Sequence, residues 1–188
     1  MHALASTDTL IAGCIEGDRS AWRELHRVLQ PAASVFLRHM GVAPEDVEDV
    51  CQDVFVQLFR YLPRFERRSQ LKTWVYKICL SQASRLRRKR ALRFGLARLL
   101  GTAPPTPATA AGADWTGFEA LREMGAALER MSHRQREVFV LYELHGFPGE
   151  EIARLIACPP ATVRGRLREA RLILGKTVAD RTAEGGAP

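Results

Sequence analysis

The sequence predicts an all-α protein: two small helical domains joined by a flexible linker, the C-terminal one a helix-turn-helix. Three observations predict this. Apolar residues recur at helical spacing along most of the chain, and no stretch alternates as a strand would. Residues 95–117, including "GTAPPTPATAAGADWTG", are rich in Pro, Ala, Thr and Gly and read as a linker. Behind "CPP" lies a helical segment, "ATVRGRLREARLIL", with four arginines at Arg164, Arg166, Arg168 and Arg171.

The elements follow in chain order. "DTLIAGCIEG" is a short amphipathic helix ending at Gly17. Asp18 or Ser20 caps the next helix, which carries Trp22, Leu25, Val28 and Leu29. Pro31 is expected to bend or restart the chain before Val35, Phe36 and Met40, and Gly41 to end that segment. Pro44 opens a further helix with acids in its first turn, where the helix dipole favours them. "PRFERRSQ" is a loop, and a long helix is expected over Leu71–Arg93.

Past the linker, "FEALREMGAALERM" is amphipathic through Leu121, Met124, Ala127, Leu128 and Met131. A helix capped by Ser132 runs to Gly146, and "PGEEIARLIA" makes a short one. Pro159 and Pro160 enforce a turn and start the last helix. The tail "TVADRTAEGGAP" is expected to be disordered. The domains are thus expected at 10–94 and 118–176.

Bulk properties narrow the function. The 188 residues, 46% hydrophobic, suffice for two small cores. No run of about 18 apolar residues exists, and the N-terminus lacks a secretory pattern. A cytoplasmic protein without membrane contact of its own is expected. Cys14, Cys51, Cys79 and Cys158 are scattered and read as buried free thiols. No metal-ligand spacing and no GxSxG, HExxH or P-loop pattern occurs, so neither a cofactor nor an enzyme is indicated.

Charge is segregated. Residues 1–60 hold 5 basic and 9 acidic residues, residues 61–100 hold 12 and 1, and residues 101–188 hold 11 of each. Such a division points to a polyanionic partner for one part and a positively charged partner for another.

Three candidate surfaces follow. Wound as a helix, the last segment turns Val163, Leu167, Ala170 and Leu174 to one face. Small residues Ala161 and Gly165 open the opposite face, flanked by Arg164, Arg168 and Arg171 on one side and Thr162 and Arg166 on the other. Arg164, Arg168 and Arg171 suit phosphates; Thr162, Arg166 and Arg164 suit base edges.

In "DVEDVCQDVFVQLFR", Asp46, Asp49, Asp53 and Gln57 share a polar face that Val56 interrupts and Phe59 borders, a surface for a basic protein partner. The third, "LKTWVYKICL" with "SRLRRKRALR", interleaves aromatics and cations as single-stranded DNA requires. Trp74 is expected at least half inside, and Tyr76, outward with Leu80 and Arg87, is the better stacking candidate.

Together, "EDVEDVCQDVF", "LKTWVYKI", "RMSHRQREVFVLYELHGFPGEEIA" and "PPATVRGRLREAR" resemble a bacterial sigma-70-family factor of the extracytoplasmic-function (ECF) group, over residues 10–93 and 118–175. The resemblance implies that Asp46, Asp49, Gln52, Asp53, Val56 and Phe59 dock on the β′ clamp helices of core RNA polymerase. It implies that Arg67, Arg68, Lys72, Thr73, Trp74, Tyr76, Lys77, Arg87 and Arg88 open the promoter and read its minus-10 element. Ala161, Thr162, Arg164, Arg166, Arg168 and Arg171 would read the minus-35 element, with the β flap as a further partner and an anti-sigma factor as regulator. The 23 residues of the linker span roughly 26 Å as a coil and about 75 Å extended, enough to bind separated promoter sites.

Ser81 and Arg85 stand where the family often has Asn and Asp, and Ala161 and Gly165 where it often has Gly and Ser. These departures bear on promoter sequence. Two other readings stay open at this point: a helix-turn-helix regulator that binds operator DNA without polymerase, and an interaction protein with a vestigial helix-turn-helix. The acidic first segment argues against the former, the four arginines against the latter.

Overall fold

The computed structural model describes residues 7–65, 70–99 and 119–185, and every regular element among them is helical. Contacts divide the chain into two compact units, one of residues up to Leu37 and Glu45–Arg90, the other of Arg38–Pro44 and Ala91 onward.

In the first unit, α1 (Thr7–Ile15) buries Ile11 and Cys14. Gly17, at φ +87°, turns the chain out of it, a conformation glycine adopts without cost. The Asp18 carboxylate then accepts bonds from the Ser20 amide (2.7 Å) and hydroxyl (2.8 Å), capping α2 (Arg19–His39). These bonds, the amide's foremost, hold the Asp18 carboxyl below the usual range.

The chain does not restart at Pro31: α2 continues through it as one helix. Leu25 before the proline and Ala33, Phe36 and Leu37 after it are all buried along one helix. That packing outweighs the one backbone bond proline removes.

Pro44 opens α3 (Pro44–Tyr61), which buries Val47, Val50, Cys51, Val54 and Leu58. A short 3₁₀ turn over Leu62–Arg64 follows. The fourth helix, α4 (Leu71–Leu99), is longer than expected, continuing past Arg93, and its residues from Ala91 on count with the second unit. It buries Leu71, Thr73, Val75, Tyr76, Ile78, Cys79, Leu80, Gln82 and Ala83. At 100° per residue these cover more than half its circumference, so the outward strip is narrow.

In the second unit, α5 (Glu119–Arg130) buries Ala127 and Leu128. Ser132 caps α6 (His133–Phe139) as expected, and the structure adds a reciprocal box with Gln135. Residues Val140–Leu144 widen into a π-helical turn, unforeseen from the sequence, that closes at Gly146 (φ +70°). Helix α7 (Gly149–Leu155) follows Pro148 and carries Glu150 and Glu151 in its first turn.

The final helix, α8 (Pro160–Gly185), overturns the expectation of a disordered tail. Thr177 is buried, donates to the Ile173 carbonyl (2.9 Å) and accepts from Arg130 (3.2 Å). Arg130 also pairs with Asp180 at 2.8 Å. These contacts with α5 extend the helix beyond the apolar stripe that the sequence showed.

Candidate nucleic-acid interface

The turn between α7 and α8 is made by Ala157, at φ +50°, rather than by the prolines alone. The Cys158 amide bonds back to the Ala153 carbonyl at 3.0 Å and closes the end of α7. Pro160 is the first residue of α8, where its missing N–H does no harm. Ile152, Ala153, Val163, Leu167 and Ala170 form the shared core. The helices therefore meet as a helix-turn-helix, with Ala161, Arg164 and Arg168 exposed and Thr162, Gly165 and Arg166 half-buried.

The arginines are not equivalent. Arg164 and Arg168 have no ion pair among the described residues and are free to meet phosphate. The Arg166 guanidinium lies 3.9 Å from Cys158 Sγ, which leans it toward the turn. Arg171 is engaged from two sides: it donates to Glu143 at 2.7 Å and stands 5.5 Å above the Tyr142 ring. Both partners sit on the π-helical turn, so this widening matters to the binding face.

On α4 the outward strip is Trp74, Lys77, Ser81, Arg85 and Arg88. Tyr76 corrects an expectation. It is 1% exposed and stacks on Phe36 (centroids 4.4 Å apart, planes at 11°), and burial pushes its hydroxyl up to about 12. It is core, not a platform for bases. Thr73 is likewise buried. The apolar sector is wider than a surface helix requires, because α4 is enclosed by neighbours on several sides. Lys72 lies 5.6 Å from the Tyr76 ring centroid.

Trp74, half-buried as expected, stacks on Phe65 at 5.0 Å. It lines a groove of about 380 Å³ with Gln57, Tyr61, Arg64, Lys77, Ile78 and Ser81. Tyr61 was missed from the sequence. Its signal was position: an aromatic just before "LPR", beyond the helical face that the periodicity described. Arg87 and Arg88 are exposed, and each donates to Ser84, to its hydroxyl and carbonyl respectively. Arg67 and Arg68 lie outside the described residues.

The α3 face is apolar as well as acidic. Val56 is 51% and Phe59 60% exposed, and Asp49, Gln52 and Asp53 stand beside them. Between α2 and α3 runs an open groove of about 780 Å³ floored by Trp22, Phe55, Val56 and Phe59, with Arg19, Arg23, His26 and Arg60 around it. The Trp22 indole donates to the Cys14 carbonyl (3.0 Å), which fixes the ring 4.9 Å from Phe59. The α2 contribution went unseen because it depends on which helix packs beside α3. Asp46, also in the expected set, has its carboxylate paired with Arg90 of α4.

Cys14, Cys51 and Cys79 are buried free thiols, each pushed up chiefly by burial; Cys158 is half-buried.

A helix-turn-helix with free arginines, joined in one chain to a helical unit bearing an apolar-acidic face and a basic aromatic strip, defines a DNA-binding transcription factor. Residues 25–93 match the Sigma-70 region 2 family and residues 121–174 match Sigma-70, region 4. The chain belongs to the sigma-70 family of transcription initiation factors, in its ECF group. It is 29% identical over 196 aligned residues to the ECF RNA polymerase sigma-E factor of Escherichia coli K12, covering 91% of this chain and 93% of that one. It is 27% identical to the RNA polymerase sigma factor NccH of Alcaligenes xylosoxydans xylosoxydans, covering 87% and 90%. The solved structure of CnrH in complex with the cytosolic domain of CnrY aligns with a TM-score of 0.65 at 26% identity, over 91% of this chain and 96% of that one. The sigma factor RpoE of Bartonella quintana, solved with the anti-sigma factor NepR, shares the fold at a TM-score of 0.69 and 23% identity, over 84% and 96%. Among the described residues no helix is long and apolar enough to cross a membrane.

Proposed function

We propose that this chain binds core RNA polymerase through α3 and directs it to promoters that carry minus-10 and minus-35 elements. The observation that carries the reading is the exposed pair Val56 and Phe59, set among Asp49, Gln52 and Asp53 on the chain that also bears the helix-turn-helix. Exposed apolar side chains beside carboxylates fit a basic, partly apolar helical partner such as the β′ clamp helices.

Residues 10–94 then serve polymerase docking and promoter opening. Trp74 offers a ring, and Lys72, Lys77, Arg87 and Arg88 offer cations to the opened strand; Arg67 and Arg68 belong to the same assignment. Residues 95–117 link this unit to 118–176, which meets the β flap and the minus-35 element. There Arg164 and Arg168 hold phosphates, while Ala161, Thr162 and Arg166 face bases. Arg171 acts through Glu143 and Tyr142, shaping the edge of that surface. CnrH and the Bartonella RpoE were solved with protein partners, the latter an anti-sigma factor. By analogy, an anti-sigma factor controls this chain too, in the cytoplasm where polymerase works.

The test is in vitro transcription with purified core polymerase on a genomic template, with and without this chain. Discrete transcripts that need the chain support the reading. If none appear and the chain does not comigrate with core polymerase, it acts on DNA without polymerase.

A further inference from the structure

The last two turns of α4 carry an unexplained surface. Leu92, Leu96 and Leu99 are 75%, 59% and 85% exposed. At 100° per residue they fall within about 60° of one another, and they span about 10 Å of the helix axis. Phe94 and Ala97 point the other way and are half-buried. Contiguous exposed leucines mark a binding surface more often than chance.

Charge says what kind of surface. Arg88 borders the leucines on one side, Lys89 and Arg93 on the other, and all three are exposed. No Asp or Glu occurs between residues 67 and 113. We propose that Leu92, Leu96 and Leu99 form a docking seam for an acidic amphipathic helix of a partner protein, its apolar side chains at i, i+4 and i+7 and its carboxylates toward Lys89 and Arg93.

The seam's length matches two turns of one partner helix. A second copy of this chain would set Arg88, Lys89 and Arg93 against their own kind. A bilayer favours a helix with one broad apolar face, whereas this one is apolar on two opposite sides. Phosphates gain nothing from three leucines. Leu92, Leu96, Leu99, Lys89 and Arg93 are assigned above neither to polymerase nor to DNA. Only the bordering Arg88 is shared with the strip that meets the opened strand, so the seam goes beyond the function proposed above.

The test uses the full chain and a labelled synthetic helix of about 18 residues, with leucines at i, i+4, i+7 and i+11 flanked by glutamates, beside a twin flanked by lysines. The glutamate helix is expected to bind. Its affinity should fall about tenfold or more in the Leu92→Ser/Leu96→Ser/Leu99→Ser variant and in Lys89→Glu/Arg93→Glu, and should survive Leu96→Met. The lysine twin should not bind. Circular dichroism checks that the variants keep their helix, and core-polymerase binding should match the parent.

Several outcomes overturn the proposal. They are no binding of the glutamate helix, or equal binding by parent and leucine variant. They also include self-association in sedimentation, or binding to phosphatidylglycerol vesicles, that only the parent shows. Loss of core-polymerase affinity in the leucine variant would assign the seam to polymerase itself.

Discussion

Arg90 of α4 is ion-paired with Asp46 in the first turn of α3. The pair joins residues 44 apart in sequence and ties the basic half of α4 to the helix that bears the apolar-acidic face. Asp46 therefore helps to hold α4 against α3. Both side chains are partly exposed, so the pair contributes at most about 1 kcal/mol. Asp46→Asn should leave core-polymerase affinity near the parent's and weaken promoter binding, and Asp46→Arg with Arg90→Asp should restore it. Asp49→Arg, by contrast, should weaken polymerase binding while the second unit keeps its fold. Equal loss of polymerase affinity in Asp46→Asn and Asp49→Arg would return Asp46 to the interface.

Ala157 sits at φ +50° in the turn between α7 and α8. A Cβ is disfavoured there, and glycine escapes that strain while adding freedom to the unfolded chain. Relief should win: Ala157→Gly is expected to stabilise the second unit by about 0.5–1 kcal/mol, read from denaturant midpoints at constant slope. Ala157→Val should destabilise it.

Tyr76 gives the first unit a pH-dependent stability. Its hydroxyl is raised from 10 to about 12 by burial, then by Cys79. The folded state holds that proton longer than the unfolded state, so the contribution is full below pH 10 and is lost as pH rises toward 12. Tyr76→Phe should flatten the difference in thermal stability over that window. Tyr76→Ala should cost about 3–5 kcal/mol as a cavity opens against Phe36.

Arg164 and Arg168 are free to neutralise phosphates, whereas Arg171 is held by Glu143 and Tyr142. Arg164→Ala and Arg168→Ala should each lower the slope of log affinity against log salt by about 1. Arg171→Ala should change that slope less. A full unit of slope lost in Arg171→Ala would mean that DNA displaces Glu143. Arg166→Ala should relax sequence discrimination instead.

Trp74 and Tyr61 line one groove beside Lys77. Trp74→Ala and Tyr61→Ala should each weaken binding to a single-stranded minus-10 oligonucleotide by about 1–3 kcal/mol, the usual value of one stacked base. Tyr76→Phe should leave that binding unchanged. Sensitivity of oligonucleotide binding to Tyr76→Phe would reinstate Tyr76 on the DNA face.

The helix-turn-helix, the Asp18 and Ser132 caps, the exposure of Val56 and Phe59 and the half-burial of Trp74 were legible in the sequence. Each depends on local chemistry: a side chain reaching its own backbone, or a period of 3.6 along one helix. What misled there was also local. Pro31 reads as a break until Leu25, Phe36 and Leu37 are seen in one core. Tyr76 reads as outward while α4 is taken to bury a single stripe, and turns inward once Phe36 lies against it. The tail reads as disordered until Arg130 meets Thr177 and Asp180.

The sequence by itself determined the all-helical class and the residue types on offer at each surface, because propensity and periodicity act over a few residues. Only the tertiary structure decided which of those residues are free to act. That depends on partners brought from far along the chain: Arg90 for Asp46, Glu143 and Tyr142 for Arg171, Phe36 for Tyr76 and Trp22 for Phe59.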